Sequence, residues 1–212
     1  MIELITTIGL LSAVMYLLIL LYLIIGIIRT KTELTDEQPF VSVIVAAHNE
    51  DQNIKACLDA LLNQDYSQEK MEIIVVNDRS EDDTGLIVNK YEKNNTLIRV
   101  LTISDCVLGL SPKKNAITHG INIGNGEIIA VIDADCRAPI QWLKRGVSYF
   151  TPETGMVVGL APLNPTSWWM SPLMCLDAIV GGITAYGSLG WNHAVTCTGR
   201  NLFYRKKLFE EI

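Results

Sequence analysis

Residues 127–135 read EIIAVIDAD, an apolar run that is followed at once by two aspartates. The first six residues have the length and the β-branched content of a strand that is buried on both faces. Asp133 and Asp135 then stand two positions apart, so both side chains reach the same face at the end of the strand. Two carboxylates this close favour a divalent ion between them, because the ion offsets their repulsion. A pair of aspartates that caps a loop is the alternative interpretation.

Strand and helix patterns alternate along the chain on both sides of this run. Strands are predicted at 40–47, 72–76, 98–103, 127–132 and 155–160, and helices at 53–63, 84–94, 113–122 and 140–150. Asp51 or Asn53 is available to cap the first of these helices, and Asp82 or Asp83 the second. Repeated strand–helix units with short connections predict an α/β fold, with a mostly parallel sheet and helices on both faces.

Polar side chains follow three of the predicted strands. They are His48-Asn49-Glu50, Asn77-Asp78-Arg79-Ser80 and Asp133-Ala134-Asp135. Because ligands bind at the carboxyl ends of strands in such sheets, we expect these side chains to converge on one site. Asp78 is placed to accept a hydrogen bond from the imide N–H of a pyrimidine, or else it forms an Asx turn. Glu50 is placed to bond a ribose hydroxyl, or else it stabilises the first turn of the next helix.

Two lysines open one of the predicted helices. Lys113 and Lys114 come directly after a loop that contains Gly109 and Pro112. A cation at such a position is well placed to bind a phosphate group. Two solvated surface lysines would give the same pattern, so both interpretations remain open here.

Composition and motifs disfavour several other classes of function. The net charge is −6 and no Lys/Arg run lies among aromatic residues, which argues against a nucleic acid as partner. The five cysteines are widely spaced, which favours reduced thiols over a disulfide framework or a zinc site. No G-x-G-x-x-G follows the first predicted strand, as a dinucleotide-binding oxidoreductase would require. A phosphatase that uses D-x-D would place its nucleophilic aspartate near the first strand, whereas here the pair comes late.

The N-terminal stretch is apolar on all sides and has no charged residue between Leu4 and Ile28. As a helix it is about 37 Å long, enough to cross a hydrocarbon core of about 30 Å. Its leucine, isoleucine and valine side chains contribute about −5 to −10 kcal/mol to membrane insertion. A cleaved signal peptide is disfavoured because Glu3 precedes the stretch and the apolar part is too long. Arg29 and Lys31 place the downstream side in the cytoplasm by the positive-inside rule.

The predicted organisation is a transmembrane helix over 1–30, a linker over 31–38 and one domain over 39–212. The expected location is therefore the cell membrane, with a single N-terminal span and the domain in the cytoplasm. Within the domain, 165–195 is apolar, rich in Trp and Gly, and has no Lys or Arg. A core helix over about 173–186 is the favoured interpretation of this stretch. A segment that lies at the membrane interface and helps to present an acceptor is the alternative.

Five segments carry a family resemblance. They are VSVIVAAHNE (41–50), VVNDRSEDDT (75–84), SPKKNAITHGI (111–121), GEIIAVIDADC (126–136) and TGRNLFYRK (198–206). In this order they resemble the motifs of family 2 glycosyltransferases over roughly 39–207. The resemblance implies the GT-A fold, which is Rossmann-like, in an enzyme of the membrane-anchored, bacterial cell-envelope type.

The resemblance also implies a set of donor-binding residues, namely Ala47, His48, Glu50, Asp78, Lys113, Asp133 and Arg200. Glu50, Asp78 and the backbone at Ala47 would contact uridine, and Lys113 a phosphate or the sugar. Asp133 and Asp135 would bind the diphosphate through Mg²⁺ or Mn²⁺. Arg200 would face the acceptor. His48 stands where the family commonly has Tyr or Arg, and Asn77 where it commonly has Asp.

The implied reaction is inverting hexosyl transfer from a nucleotide-diphosphate donor, a UDP-sugar, to a glycan or lipid-linked acceptor. An Asp or Glu would deprotonate the acceptor hydroxyl, while the metal neutralises the departing diphosphate. In the family this base lies beyond the Y-R-K segment, so it is expected after Ile212. The chain is therefore expected to be a fragment that is inactive alone. The alternative is a non-catalytic module that binds nucleotide sugars or assembles with partners.

Overall fold

The computed structural model describes residues 1–30, 33–105, 109–162, 168–197 and 199–211. The chain divides into two compact units. One contains Met1–Thr32 and Leu160–Cys197, and the other contains Glu33–Gly159 and Thr198–Ile212. The predicted domain of 39–212 includes 160–197, which the second unit does not, and the predicted boundaries stay a prediction.

A six-stranded sheet forms the centre of the second unit. Its strands are β1 (Val41–Ala47), β2 (Met71–Asp78), β3 (Ile98–Ile103), β4 (Ile128–Asp133), β5 (Met156–Val158) and β6 (Asn201–Arg205). They lie in the order β3-β2-β1-β4-β6-β5. Strands β1 to β4 pair in parallel, whereas β6 is antiparallel to both of its neighbours. The predicted α/β fold with a mostly parallel sheet is confirmed.

The helices are α1 (Ile2–Arg29), α2 (Ile54–Leu62), α3 (Thr84–Asn94), α4 (Pro112–Ile123), α5 (Trp142–Ser148), α6 (Ser171–Leu189) and α7 (Lys206–Glu210), with a 3₁₀ turn at Gln68–Lys70. The predicted helices at 53–63, 84–94, 113–122 and 140–150 correspond to α2 to α5. The sequence reading did not foresee α7 or the 3₁₀ turn. Both are too short to show a hydrophobic period.

Asn53 and Asp83 occupy the N-cap positions of α2 and α3, as predicted, but neither makes a side-chain capping bond. Asn53 precedes α2, but its amide donates to Glu50 Oε2 at 2.9 Å. Asp83 precedes α3 without a side-chain capping bond, while Asp82 Oδ1 accepts from the Thr84 N–H at 3.0 Å. Asn53 therefore bonds within its own loop, and Asp82 also accepts from the Asp51 N–H of the neighbouring loop.

Two apolar cores cover the two faces of the sheet, as the alternation of strand side chains requires. Val43 and Val45 of β1 lie in the core beneath α2 and α5, and Ile44 points to the opposite core beneath α4. At Gly120 of α4 the helix comes so near the sheet that a Cβ would lie 2.6 Å from Ile44 Cγ2. A buried Ile or Leu side chain stabilises such cores by about 1.5–3 kcal/mol.

Strand β6 is the main element that the sequence pattern did not reveal as a strand. Phe203 at its centre is buried, and its ring centroid lies 4.9 Å from that of Trp142. The indole N–H of Trp142 also donates to Asn201 Oδ1 at 2.8 Å. Packing against α5 therefore fixes β6 beside β4, although its five residues show no clear alternation.

The first unit consists mainly of α1 and α6. Both are long and apolar enough to cross a membrane, judged by length and composition alone. The predicted helix at 173–186 is confirmed as α6, but its placement in a core is wrong. Large apolar side chains along α6 are about half exposed, including those of Leu173, Ile179 and Val180.

Candidate functional site

The strand order places the predicted site at a reversal in the sheet. From β1 the chain moves outward to β2 and β3, and then returns to the other side of β1 as β4. Ligands of open α/β sheets bind in the crevice at the carboxyl ends of the strands beside such a reversal. The polar residues after β2, β1 and β4 therefore lie on three neighbouring strand ends.

The loops after β1 and β2 are hydrogen-bonded to each other. The Asn49 N–H donates to Ser80 Oγ at 3.1 Å, and Asn49 Oδ1 accepts from the Glu81 N–H at 2.8 Å. Asn49 and Arg79 both have positive φ, 55° and 54°. This left-handed conformation is uncommon outside glycine, and Asn adopts it more easily than most residues. The paired loops hold both turns in place.

A second set of bonds joins the same loops at the starts of α2 and α3. The Glu50 N–H donates to Thr84 Oγ1 at 2.7 Å, and the Asp51 N–H donates to Asp82 Oδ2 at 3.1 Å. Burial alone would raise the pKa of Asp82, but hydrogen bonds from Thr84 and Asp51 outweigh it and lower that pKa. Ser80 was expected at the site, whereas sequence reasoning missed Thr84 as a member of it.

Asp78 lies at the end of β2 and is almost fully buried. Its carboxylate accepts from Arg79 Nε at 2.6 Å and from Arg79 Nη2 at 3.2 Å. The backbone carbonyl of Asp78 lies 2.6 Å from His48 Nδ1. Because a carbonyl oxygen only accepts, His48 donates from Nδ1, and in the neutral ring Nε2 is left as an acceptor. The structure thus fixes the orientation of both side chains.

The neighbouring Asn77 is buried, and its Oδ1 has no hydrogen-bond partner among the described residues. Its amide also lies against α3, since a Cβ on Gly85 would be 3.1 Å from Asn77 Nδ2. An aspartate at this position would bring a second buried carboxylate next to Asp78. The neutral amide avoids that repulsion.

The end of β4 is more open. The ammonium group of Lys113, in the first turn of α4, pairs with Asp133 Oδ1. The Asp133 carbonyl accepts from the Cys136 N–H at 3.0 Å, so the chain turns directly after the strand. Asp135 lies in this turn and is exposed. The structure therefore brings Lys113 to Asp133 and leaves the Asp135 carboxylate facing solvent.

The residues fit a divalent cation that is bound together with a phosphate ligand. Within the part of the chain that the structure describes, no group of three or more His, Cys, Asp or Glu side chains is arranged to hold a metal ion. Asp133 and Asp135 offer two carboxylates. Mg²⁺ typically takes one or two carboxylates and completes its shell with phosphate oxygens and water. These two carboxylates suit such an ion and do not suit an all-protein metal cage.

Two thiols lie next to these aspartates and are kept protonated. Burial, followed by the nearby Cys136, Asp135, Asp133 and Glu50, raises the pKa of Cys57 to about 12. Burial and the nearby Asp135 also raise the pKa of Cys136 to about 11. Neutral thiols add no negative charge at the end of β4. None of the cysteines at 57, 136, 175 and 197 is in a disulfide bond.

The remaining predicted residues lie at the same edge of the sheet. Ala47 is the last residue of β1, is buried and pairs with Asn77 of β2. Arg200 is half-buried and directly precedes Asn201, the β6 partner of Ile132. The chain therefore places Arg200 beside the end of β4. Ala47, Asp78, Lys113 and Asp133 belong to β1, β2, α4 and β4, whereas His48 and Glu50 follow β1 and Arg200 precedes β6.

A family model described as "Glycosyl transferase family 2" matches residues 42–212. The chain belongs to this family. The match begins in β1 and includes all three polar strand ends, so the family sequence pattern and the fold describe the same region.

Two curated relatives and one solved structure show the extent of the similarity. Glycosyltransferase AglE of Haloferax volcanii is 38% identical over 115 residues, which is 54% of this chain and 36% of that protein. Probable glycosyltransferase YdaM of Bacillus subtilis is 31% identical over 181 residues, 83% of this chain and 43% of that protein. The chain thus spans less than half the length of these two relatives.

The solved structure is the mannosyltransferase PcManGT from Pyrobaculum calidifontis, in complex with GDP-Man and Mn²⁺. It matches with a TM-score of 0.72 at 21% identity, and the alignment covers 95% of this chain and 56% of that one. At this level of identity the likeness establishes the fold. The predicted GT-A-type fold is confirmed.

Proposed function

We propose that this chain binds the donor in an inverting glycosyltransferase that moves a hexosyl group from a UDP-sugar to a glycan or lipid-linked acceptor. The observation that carries the proposal is the placement of three polar strand ends, those of β2, β1 and β4, side by side at the reversal of the sheet. Family membership supports glycosyl transfer as the reaction. The donor, the acceptor and the stereochemical course belong to the proposal.

The ends of β1 and β2 would hold the nucleoside. Asp78 presents a buried carboxylate that Arg79 holds in one orientation, and carboxylate oxygens retain lone pairs for a further donor. The imide N–H of uracil is such a donor. Glu50 would accept from a ribose hydroxyl, and the carboxylate is already fixed by Asn53. The His48 ring and the backbone at Ala47 would line the same pocket.

The end of β4 would hold the diphosphate. Asp133 and Asp135 would bind Mg²⁺ or Mn²⁺, which when bound neutralises charge on the diphosphate. Lys113 would turn from Asp133 toward a phosphate oxygen, which leaves the Asp133 carboxylate available to the cation. The side chain of Lys113 is half exposed, so this movement meets no packed barrier. Arg200, beside the end of β4, would lie on the acceptor side.

We further propose that α1 anchors the protein in a membrane. It has 28 residues, and nearly all of its large apolar side chains are exposed. Such apolar side chains are unfavourable in water, whereas the hydrocarbon core of a bilayer solvates them and the helix makes its backbone hydrogen bonds internally. Arg29 at its end favours the cytoplasmic side for the residues that follow. A cytoplasmic position is also where nucleotide sugars would reach the site.

Calorimetry of the full chain with UDP, in the presence of Mn²⁺ and again with a chelator, tests the proposed function. We expect saturable binding that is weakened strongly when the metal is removed. Asp135→Asn should abolish the effect of the metal, while Glu153→Gln, an exposed carboxylate in a distant turn, serves as the matched control. A flat titration with a folded wild-type sample would contradict donor binding.

A further inference from the structure

Helix α6 carries an exposed apolar face. Leu173, Leu176, Val180 and Ile183 recur at a spacing of three and four residues, so they lie on one side of the helix, and 44–57% of each residue is exposed. Asp177 is exposed and Thr184 is partly exposed on the flank beside this face. A continuous apolar face of this kind on a folded protein marks an interaction surface.

The contact between α6 and α1 is confined to the end of α1. Residues 1–22 are exposed, whereas Leu23 and Ile27 are partly covered and Gly26 is buried. A Cβ on Gly26 would lie 1.8 Å from the carbonyl oxygen of Gly187, and one on Gly190 would lie 1.9 Å from that of Gly26. The two backbones therefore touch at one crossing. A helix that ran alongside α1 would cover a stripe along its whole length.

Aromatic and basic groups gather at this crossing. The Trp191 ring stacks on Tyr22 with centroids 5.0 Å apart, and its indole N–H donates to the Tyr22 carbonyl at 3.0 Å. The Arg29 guanidinium carbon lies 4.4 Å from the centroid of the Trp191 ring. Trp, Tyr and Arg are the side chains that settle at the level of lipid headgroups. The crossing thus has the composition of a membrane–water interface.

The connectivity of the sheet excludes α6 as a single membrane span. The chain leaves the sheet after β5 and returns in β6, and these strands are hydrogen-bonded neighbours with Val158 opposite Leu202. Both flanks of α6 must therefore start and end on the same side of a membrane. Each flank has about a dozen residues, and a helix of that length rises only about 18 Å, too little for a second crossing of about 30 Å. Extended chain is not tolerated in contact with lipid tails.

We propose that α6 lies along the cytoplasmic surface of the membrane, with its apolar face against the acyl chains, beside the point where α1 leaves the bilayer. This inference rests on the membrane anchoring by α1 proposed above. A lipid surface is the favoured occupant because the apolar face is continuous with α1 through the contact at Gly26 and Gly187. Trp168 and Trp169 at one end of α6 are exposed, and Trp191 lies at the other. Aromatic groups at both ends suit a helix that lies at the level of the headgroups.

The position of Asp177 supports the same arrangement. It lies near the middle of α6 and is exposed. In a spanning helix this carboxylate would be close to the centre of the bilayer, where a charge is costly. In a helix along the surface, the flank that carries Asp177 and the partly exposed Thr184 faces the headgroups and water.

Spin labels measure the depth of α6 directly. The full chain, with its own cysteines replaced by serine, is reconstituted in vesicles of phosphatidylcholine and phosphatidylglycerol, and circular dichroism checks its fold. Labels at Leu173→Cys, Val180→Cys and Ile183→Cys should be accessible to oxygen and protected from a nickel complex, all at one shallow depth. A label at Leu18→Cys in α1 should lie deep. A label at Leu86→Cys, on an exposed position of α3, should be open to the nickel complex.

Two outcomes would overturn this inference. A depth that changes steadily along α6 would show a spanning helix, and labels as open to nickel as Leu86→Cys would show a water-exposed or protein-bound face. As a second measurement, a membrane-impermeant maleimide should modify Trp169→Cys and Val195→Cys from the same side. UDP titration of the same samples separates the claims: normal UDP binding with the wrong depths rejects the surface helix alone. Expected depths with no UDP binding reject only the donor site.

Discussion

The two halves of the candidate site are built differently. At the ends of β1 and β2, the two loops are bonded to each other, as in the pairs Asn49–Ser80 and Glu50–Thr84, and the side chains of Asp78 and Thr84 are buried. At the end of β4, by contrast, Asp135 is exposed and Asp133 is held by a half-exposed lysine. The first half is preformed, and the second is free to rearrange around an anion and its metal. A rigid nucleoside pocket and an adjustable diphosphate site follow from this difference.

The largest expected effect is at the link between the two loops. Thr84→Val keeps the shape of a fully buried side chain but leaves the Glu50 N–H without its acceptor. An unsatisfied buried donor costs about 1–3 kcal/mol. We expect the free energy of unfolding, measured with urea, to fall by that amount, and UDP binding to weaken with it. Unchanged stability would mean that the loops are not held by this bond.

A change at Asp78 should affect the nucleoside without affecting the metal. Asp78→Asn keeps the size of the side chain but removes the charge that Arg79 pairs with. Hydrogen bonds to charged groups contribute about 1.5–3 kcal/mol, so we expect UDP to bind at least about 10-fold more weakly. Inorganic diphosphate with Mn²⁺ should bind as before. Equal loss for UDP and diphosphate, measured by calorimetry, would argue against a base contact.

At the end of β4, Lys113→Met should weaken donor binding without changing the stability of the fold. An exposed ion pair contributes about 0–1 kcal/mol, so the free energy of unfolding should hardly change. UDP should bind several-fold more weakly, while Mn²⁺ alone should bind more tightly because Asp133 has lost its competing cation. Lys114→Met, the neighbouring exposed lysine, is the control. The idea fails if Mn²⁺ affinity drops in the Lys113 variant.

The smallest effect is expected in the alkylation of the thiols next to Asp133 and Asp135. Only the thiolate reacts with iodoacetamide, and the pKa of about 12 leaves Cys57 protonated up to well above pH 9. Between pH 7 and 9 we expect no modification of Cys57 by mass spectrometry, while the exposed Cys197 is alkylated. Rapid labelling of Cys57 near neutral pH would show that this region opens in solution.

The sequence predicted strands β1 to β5 and the polar residues at the ends of β1, β2 and β4, because β-branched runs and the polar groups after them are local signals. It did not predict the bonds between the loops. Asn49 and Ser80 are 31 residues apart, and the local sequence around one does not indicate the other as its hydrogen-bond partner. The ion pair of Lys113 with Asp133 likewise could not be predicted from the sequence, because it depends on α4 lying across the end of β4.

Tertiary packing also decided the elements that the sequence left unassigned. Strand β6 depends on Phe203 packing on Trp142, and its antiparallel direction depends on a return from the excursion through α6. Helix α6 was recognised from its apolar content. Its exposure was not foreseen, because an apolar helix in a core and one against lipid have similar compositions.

A crystal structure of the chain with UDP and Mn²⁺, with the manganese located by anomalous scattering, tests the central claim most directly. We predict manganese bound by Asp133 or Asp135 and by the diphosphate, Lys113 moved away from Asp133, and the uracil ring beside Asp78. A nucleotide bound elsewhere, or manganese away from both aspartates, would contradict the claim that the three strand ends form one donor site.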